Sequence, residues 1–368
     1  MNINFLFAGY EKQISGINRL IYETVHEIIK QDKNNVYYTT ENNWMQLPVS
    51  SLPMHPVLRE IAPMYEERLS LLISDINLLH SFYNPFDKIK GNMHKVLTVH
   101  DVCPLVNDSW FNGNKAWKDF FLTPLRKSVE MADCVCAVSE NTKRDIVKYY
   151  NVAEDKIKVV YPGCFVPAEV KDEALSSDEL LKRYGIIKDD YILSVCTIEP
   201  RKNIRGLVSG FAEFKSKYPD SSLKLVLCGK LGWDTTFEQF YSELDGGLKS
   251  SIVRLGYVSD SELNILYANA FAFAYVSFYE GFGSPILEAL HRGCSVICSE
   301  ISSMPEVGGD AVVYCNPYKV ETITEAIERL AFDPDLRKIL KQKAIVQAGK
   351  FSYKKMASEM INIYNMFS

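Results

Sequence analysis

The sequence contains no uncharged apolar run of the roughly 18 residues that a membrane-spanning helix needs. Its opening stretch, MNINFLFAGYE, has a short strand-like apolar run followed soon by an acidic residue, which is unlike a secretory signal peptide. We therefore expect a cytoplasmic protein, and we expect any contact with a membrane to be peripheral, at its inner face.

Cysteine is not arranged as in a disulfide framework or a zinc knuckle. The nine cysteines are scattered and odd in number. Only one residue separates Cys134 from Cys136, whereas zinc knuckles usually have about two to four residues there. Several cysteines lie inside apolar strand-like runs, where a free thiol acts as a small core residue. We expect free thiols in a reducing compartment.

An excess of positive charge is also missing. The net charge is −5, which argues against a nucleic-acid partner because nucleic acids bind through cations. The 368 residues are 47% hydrophobic and 24% charged, as in ordinary globular proteins, and a chain of this length usually forms two domains. No low-complexity tract interrupts the chain.

The glycine fingerprint of dinucleotide-binding dehydrogenases is absent as well. These enzymes carry Gly-x-Gly-x-x-Gly after the first strand, and FAGYEKQISG lacks it. The stretch GFGSPI, which begins at Gly281, has only the first two glycines. A nicotinamide-dependent reaction is therefore disfavoured.

Apolar strand-like runs alternate with helical patterns along the whole chain. This alternation predicts an α/β protein of two Rossmann-like, doubly wound domains that face each other across a cleft. Ser139, Asn203 and Ser259 are in N-cap positions of predicted helices. We place the N-terminal domain at residues 1–166 and the C-terminal domain at residues 167–351.

The stretch YEGFGSPILEAL, residues 279–290, follows the apolar run Ala270–Ser277, which reads as a buried strand. Ser284 is the predicted N-cap and Pro285 the first residue of a helix. Glu280 then lies in the loop and Glu288 about one turn into the helix. Loops at the carboxyl ends of parallel strands bind ligands, but both glutamates could simply favour the positive end of the helix.

A second stretch, TIEPRKNIRGL at residues 197–207, also joins a strand to a helix. Arg201 and Lys202 are adjacent cations beside the start of this helix, which suits a diphosphate with about two negative charges. The alternative is a solvated basic pair. The position of Arg201 and Lys202 directly after a buried strand favours the interpretation as a phosphate site.

Several stretches together resemble the retaining GT-B glycosyltransferases of family 4. The resemblance covers nearly all of the second half, and its stretches are EPRKNI, LVLCGK, VRLGYVSDSELNILYANA, EGFGSPILEALHRGCSVICSEISSMPEVGGDAVVYCNP and FSYKKMA. In the first half SGINRL, VLTVHDVCPL and ADCVCAVSENTKRDI match more loosely, and the second of these is similar to a branch with many mannosyltransferases. The usual glycine pair of the first loop is reduced to Gly16 alone. In this family the C-terminal helix, here residues 352–368, packs back on the first domain.

The resemblance implies a nucleotide-sugar site with opposite ends held by the two glutamates. Glu288 would accept hydrogen bonds from the ribose hydroxyls, and Glu280 would lie near the hydroxyls of the donor sugar. Arg201 and Lys202 would bind the diphosphate and promote the reaction. Backbone groups of the loop and helix start would line the donor, namely those of Gly281, Phe282, Gly283, Ser284, Pro285 and Ile286.

Two residues of the first half complete the site that the resemblance implies. Gly16 would let the backbone approach the phosphates, and His100 would face the donor sugar as a catalytic residue. Without the resemblance, a single histidine at a strand end is more often structural, and Asp101 beside it suits the capping of a loop.

The function implied is transfer of a hexose, with mannose as the candidate, from a GDP or UDP sugar to a saccharide or lipid-linked saccharide during surface polysaccharide synthesis. The family's front-face mechanism retains the anomeric configuration, and no metal ion is expected because protein cations replace it. Residues Trp110–Arg126 mix aromatic and basic groups that could bind the acceptor, although such a stripe more often packs in a core. A GT-B sugar-nucleotide epimerase and a non-catalytic binding homologue stay open as alternatives.

Overall fold

A computed structural model describes residues 1–6, 16–39, 76–83, 85–87, 89, 91–111, 115–164 and 176–368. The chain divides into two compact units. The first unit consists of Met1–Asp108, Gly113–Phe165 and Phe351–Ser368, and the second consists of Ser109–Asn112 and Val166–Lys350.

The strands form two six-stranded sheets, one in each unit, and their pairings are parallel. The strands are β1 (Asn2–Leu6), β2 (Val36–Thr39), β3 (Leu78–Ser81), β4 (His94–Val99), β5 (Cys134–Ala137), β6 (Ile157–Val159), β7 (Tyr191–Val195), β8 (Lys224–Cys228), β9 (Ile252–Gly256), β10 (Ala272–Tyr275), β11 (Val296–Ser299) and β12 (Val312–Cys315). The predicted α/β class is confirmed.

Helices lie between most of these strands along the chain, as is usual for parallel pairing. The α-helices are α1 (Gly16–Gln31), α2 (Cys103–Val106), α3 (Lys115–Phe120), α4 (Arg126–Met131), α5 (Glu140–Tyr150), α6 (Ser177–Arg183), α7 (Ile204–Lys217), α8 (Phe237–Ser242), α9 (Gly246–Ser250), α10 (Asp260–Asn269), α11 (Ser284–His291), α12 (Met304–Gly308), α13 (Val320–Phe332), α14 (Pro334–Ala348) and α15 (Tyr353–Asn365). Short 3₁₀ helices cover Asp108–Phe111, Glu154–Lys156 and Pro200–Lys202, and a π-helix covers Phe121–Leu125. Among the helices of the described residues, none is both long and apolar enough to span a bilayer.

In the first unit the strand order is β2-β1-β3-β4-β5-β6. Helices α1 and α15 pack against each other beside this sheet. The predicted apolar face of α15 is buried there, with Met356, Met360, Ile363 and Tyr364 at most 5% exposed. The C-terminal helix is therefore part of the first unit's core.

In the second unit the strand order is β12-β11-β10-β7-β8-β9. The chain builds outwards from β7 in one direction and then from β10 in the other, so β7 and β10 flank the point where the order reverses. In doubly wound sheets, ligands bind just outside the carboxyl ends of the two strands at this point. The core beneath them is apolar and includes Ile192, Leu225 and Ala274, each fully buried.

Three predicted helix caps are confirmed, because side chains of Ser139, Asn203 and Ser259 accept hydrogen bonds from the first turns of α5, α7 and α10. The prediction of Ser284 as an N-cap is wrong. Gly283 is the N-cap of α11, and Ser284 is its first residue. Gly283 holds φ at 106°, a value that disfavours residues with a side chain, so the chain enters the helix one residue earlier than expected.

The cysteines among the described residues are all free, as expected, and most of them are buried. Burial raises the pKa of the Cys196, Cys294 and Cys315 thiols to about 12. These thiols therefore stay protonated and behave as core residues.

Candidate functional site

The candidate site lies at the carboxyl ends of β7 and β10, which are adjacent in the sheet of the second unit. The segment after β7, residues 196–203, carries Arg201 and Lys202. The segment after β10, residues 276–283, carries Glu280. The two segments are joined through their backbones, because the Phe278 N–H donates to the Arg201 carbonyl at 2.8 Å.

Glu280 is the centre of a buried ion cluster. One of its carboxylate oxygens, Oε1, accepts from Lys202 Nζ at 2.7 Å, and the other, Oε2, accepts from Arg201 Nη1 at 2.9 Å. Glu280 is 6% exposed and Lys202 is 9% exposed. The two predicted cations and the predicted loop glutamate therefore meet in one place, and the alternative of a solvated basic pair is wrong.

Burial by itself would raise the pKa of the Glu280 carboxyl. The Lys202 ammonium and the Arg201 guanidinium outweigh that effect and lower the pKa to about 2. Glu280 is thus a carboxylate at any physiological pH, which suits an acceptor of hydrogen bonds and excludes it as a general acid.

Tyr275, the last residue of β10, holds the ammonium of Lys202 from a second side. Its hydroxyl accepts from Lys202 Nζ at 2.7 Å, and the ammonium lies 5.0 Å from the centre of its ring. Burial, followed by the Glu280 carboxylate, raises the pKa of Tyr275 well above its ordinary value. The phenol therefore stays neutral, and Lys202 is fixed between one carboxylate and one hydroxyl.

Arg201 is held by several groups. Its Nε donates to Glu199 Oε2 at 3.0 Å, and its Nη1 donates to the Tyr279 carbonyl at 3.2 Å in addition to Glu280. Glu199 is 7% exposed, and burial raises the pKa of its carboxyl although Arg201 and Lys202 act in the opposite direction. The formal charges of the two cations and the two carboxylates cancel.

Asn203 fixes the spacing between the two segments. It has a left-handed φ of 54°, and its Oδ1 accepts from the Gly206 N–H at the start of α7. Its Nδ2 donates to the Val276 carbonyl at 3.1 Å and to the Pro317 carbonyl at 2.9 Å. One buried amide therefore caps the helix after β7 and ties it to the loop after β10.

Two serines brace the backbone of the Glu280 loop. The Ser302 hydroxyl donates to the Glu280 carbonyl at 2.7 Å, and it also lies 3.1 Å from the Glu280 N–H. The Ser303 hydroxyl lies 2.8 Å from the Glu280 carbonyl and 2.9 Å from the Phe282 carbonyl. The loop from Glu280 to Gly283 is therefore held in one conformation before any ligand binds.

The start of α11 follows this loop. Gly281 and Phe282 are buried, Ser284 and Pro285 are half-buried, and Ile286 is fully buried in the core. The backbone of these residues, rather than the side chain of Ile286, is what the site can offer to a ligand. Because the first N–H groups of a helix lack partners within it, they favour anions.

Glu288 lies on the same helix but outside the ion cluster. It is half-buried, and its Oε2 accepts from the Tyr267 hydroxyl at 3.1 Å. Tyr267 belongs to α10, so this contact orients the glutamate relative to a neighbouring helix. Glu280 and Glu288 have different partners, and the two carboxylates can therefore have different tasks.

The predicted residues of the first unit are His100 and Gly16. His100 follows β4, and its Nε2 lies 2.8 Å from the Phe82 carbonyl. Burial lowers the pKa of His100, and Phe82 and Asp101 oppose this only in part, so the ring is neutral near pH 7. Asp101 accepts from the Cys103 N–H, which fits the capping role considered for it. Gly16 is the first residue of α1.

The aromatic stretch suggested for the acceptor begins inside the core. Trp110 and Phe111 are 8% and 6% exposed. The Trp110 ring stacks on Phe278 at 6.3 Å between ring centres, and the Phe111 ring stacks on Trp233 at 5.7 Å. These two residues pack within the second unit, as the alternative interpretation expected.

Sequence reasoning missed Glu199, Tyr275, Ser302 and Ser303. A tyrosine at the end of an apolar strand reads as core, and serines in a distant loop carry no signal of their own. Glu199 could have been noticed, because a glutamate two residues before Arg201 is near enough to pair with it.

Two family models match this chain, one in each half. The family model described as Glycosyltransferase Family 4 matches residues 14–164, and the model described as Glycosyl transferases group 1 matches residues 176–347. Together they span most of the chain.

Two curated relatives from Escherichia coli are similar to this chain. The O-antigen chain mannosyltransferase B is 34% identical over 66% of this chain and 63% of its own length. The serotype-specific mannosyltransferase WbdA is 30% identical over 70% of this chain and 32% of its own length. The chain therefore matches less than two thirds of each relative.

Among solved structures, Anabaena Alr3699/HepE in complex with UDP-glucose superposes with a TM-score of 0.73, covers 100% of both chains and is 14% identical. A glycosyltransferase from Rickettsia africae has a TM-score of 0.71 at 18% identity and covers 100% of this chain and 98% of its own. These likenesses establish the fold. With both family models matched in order, the chain belongs to glycosyltransferase family 4 and has the GT-B fold.

Proposed function

We propose that this glycosyltransferase transfers a hexose, with mannose as the first candidate, from a GDP or UDP sugar to a saccharide or lipid-linked saccharide. The proposal includes retention of the anomeric configuration, no metal ion, and a place in surface polysaccharide synthesis in the cytoplasm, peripherally at the membrane. The observation that carries it is the buried cluster of Arg201, Lys202 and Glu280 beside the first turn of α11. The mannosyltransferase relatives support the choice of sugar and pathway.

In this proposal Arg201, Lys202 and the first N–H groups of α11 bind the diphosphate of the donor. Cleavage of the sugar–phosphate bond leaves negative charge on the β-phosphate. Cations and amide dipoles that are already fixed in a buried site stabilise that charge without reorganising, which is the largest source of rate in many enzymes. Lys202 suits this role because Tyr275 and Glu280 hold its ammonium in place.

Glu280 would accept hydrogen bonds from the hydroxyls of the donor sugar. Its low pKa and its bonds to both cations argue against a role as a nucleophile, because a carboxylate paired twice is poorly nucleophilic. A front-face reaction, in which the departing phosphate takes the proton of the acceptor, needs no enzymic nucleophile. Neutral His100 would contact the sugar from the first unit.

Glu288 would hold the nucleotide at its ribose. A carboxylate has two oxygens and can accept from both ribose hydroxyls, and Tyr267 orients this carboxylate through one of them. We therefore predict that Glu288→Ala weakens nucleotide binding, whereas Glu280→Ala mainly slows turnover. Equal nucleotide affinities for both variants and the unmodified protein would contradict this division.

A thermal-shift panel of GDP, UDP and ADP sugars tests the donor class. A ligand at 100 times its dissociation constant stabilises the protein by about 2.7 kcal/mol. Slow hydrolysis of the preferred donor without acceptor, lost in Lys202→Ala and kept in Lys217→Ala, would support the transferase. Lys217 is the matched control because it makes an exposed ion pair with Glu328 in the same unit.

The same assay separates the alternatives. Release of an epimerised sugar nucleotide would favour the epimerase. Tight nucleotide binding with neither hydrolysis nor transfer would favour a non-catalytic homologue. The anomeric configuration of the product, determined from the anomeric coupling constant in NMR, then tests retention. Undiminished activity in the presence of a chelator tests independence from metal ions.

A further inference from the structure

Glu199 is a buried carboxylate that the proposed chemistry does not use. It lies between β7 and the 3₁₀ turn of Arg201 and Lys202, and its Oε2 is 3.0 Å from Arg201 Nε. The side chain is 9% exposed, so water contributes little to its solvation. A buried carboxylate costs folding free energy unless its partners compensate, which makes its presence beside a phosphate site informative.

Counted over the residues that the structure describes, the ion cluster is formally neutral before any donor binds. Arg201 pairs with Glu199 and Glu280, and Lys202 pairs with Glu280. A sugar nucleotide brings about two negative charges to the same cations. Adding them to a neutral buried cluster leaves an uncompensated negative charge, which is costly in a medium of low dielectric.

The two carboxylates differ in how firmly they stay ionised. Glu280 contacts both cations, and they lower its pKa to about 2. Within the part of the chain that the structure describes, the ion pair of Glu199 is with Arg201, and burial raises the pKa of Glu199. Of the two, Glu199 is therefore the carboxylate that takes up a proton more readily.

The groups around Glu199 come from three segments. Its own segment supplies the Arg201 and Lys202 cations, and the loop after β10 supplies the Glu280 carboxylate. From the segment after β8, Gly232 approaches so closely that a Cβ there would lie 3.2 Å from Glu199 Cγ. The Glu199 side chain is therefore enclosed by the segments after β7, β8 and β10.

We propose that Glu199 takes up one proton from solvent when a nucleotide sugar binds, and so releases Arg201 to the diphosphate. The inference rests on the proposed function. The proton forms an O–H bond on the carboxylate, no bond of the donor changes, and one negative charge leaves the cluster as two arrive. The enzyme would then bind its donor more tightly at lower pH.

The test is isothermal titration calorimetry with GDP-mannose and with UDP-glucose, continued with the one that binds. The diphosphate of a sugar nucleotide is a diester and does not titrate near neutral pH, so it adds no proton of its own. Repeating the titration in two buffers of different ionisation enthalpy gives the number of protons taken up. We expect uptake approaching one, and affinity that falls by up to about tenfold per pH unit between pH 6 and 8.5.

Glu199→Gln separates this role from a structural one. The amide oxygen can still accept from Arg201, but it cannot ionise. We expect no proton uptake, affinity that is nearly constant with pH, and binding at pH 8.5 at least about tenfold tighter than in the unmodified protein. A structural role predicts weaker binding at every pH instead. Glu238→Gln is the control, because it removes a carboxylate paired with Arg254 elsewhere in the unit.

Either of two results would overturn the proposal: no proton uptake in the unmodified protein, or uptake that persists in Glu199→Gln. If neither sugar nucleotide binds at all, the proposed function fails along with it. If donor binds and no proton follows, only the role of Glu199 is refuted.

Discussion

His80 gives the clearest stability prediction, because it is a fully buried histidine with both ring nitrogens engaged. Nδ1 lies 2.6 Å from the Tyr364 hydroxyl of α15, and Nε2 lies 2.9 Å from the Thr98 hydroxyl of β4. A neutral imidazole offers one donor and one acceptor, which two hydroxyls satisfy. A protonated ring would carry an uncompensated charge between strand and helix.

Burial lowers the pKa of His80 from 6.5 to about 3. The folded protein therefore excludes a proton that the unfolded chain binds below pH 6.5. As far as His80 is concerned, the free energy of unfolding is at its full value above pH 6.5, and it falls progressively as pH decreases towards 3. Between pH 7.5 and pH 5.0 the loss is about 2 kcal/mol, from about 1.4 kcal/mol per pH unit.

The assay is hydrogen exchange of peptides from α15 at pH 7.5 and 5.0, corrected for the intrinsic rates. We expect the free energy of opening of this helix to fall by about 2 kcal/mol more in the unmodified protein than in His80→Gln. Glutamine keeps a donor and an acceptor but does not titrate. Other acidic groups titrate alike in both proteins, so they cancel in the difference.

His94→Gln is the matched control, since His94 begins the neighbouring β4 and is half-exposed. It should behave like the unmodified protein. If His80→Gln loses as much stability on acidification as the unmodified protein does, the buried ring is not the titrating group and the reasoning is wrong.

Two further predictions concern the second unit. Asn203→Ala should destabilise this unit by about 2–4 kcal/mol in chemical denaturation, because it removes a helix cap and leaves two buried carbonyls without their donor. Asn203→Asp keeps the cap oxygen but turns a second oxygen towards the two carbonyls, so it should destabilise the unit at least as much; a much smaller loss would contradict the role given to the amide donors. Tyr275→Phe should lower kcat by about tenfold with little change in KM or in stability, since it frees one side of the Lys202 ammonium. A loss confined to KM would instead assign Tyr275 to ground-state binding.

The sequence alone predicted the parts of this fold that depend on neighbouring residues. Caps at Ser139, Asn203 and Ser259 involve backbone groups three residues away, so local pattern is sufficient. The prediction of Ser284 as an N-cap was wrong for a reason that is also local. Gly283 takes a positive φ that no pattern of polarity reveals, and this moves the helix boundary by one residue.

The site was predicted less completely because its contacts are distant in sequence. Arg201 and Glu280 were each recognised after a strand, but their pairing depends on β7 lying beside β10, and many strand orders are compatible with the same alternation of elements. Glu199 and Tyr275 gain their roles only from that pairing. The resemblance to the family supplied the expected ligand, and the ion cluster is what the structure adds.

The ion cluster also bears on why these charges are retained. Buried ion pairs contribute little to stability on balance, because the desolvation of each charge offsets the attraction between them. Apolar residues of similar volume would serve the fold as well. A site that must receive a diphosphate, however, needs cations that are fixed, shielded from water and available on arrival of the anion. In the proposed function, internal carboxylates would meet these needs together: they hold Arg201 and Lys202 in place in the empty site, and protonation of Glu199 would release Arg201 to the donor.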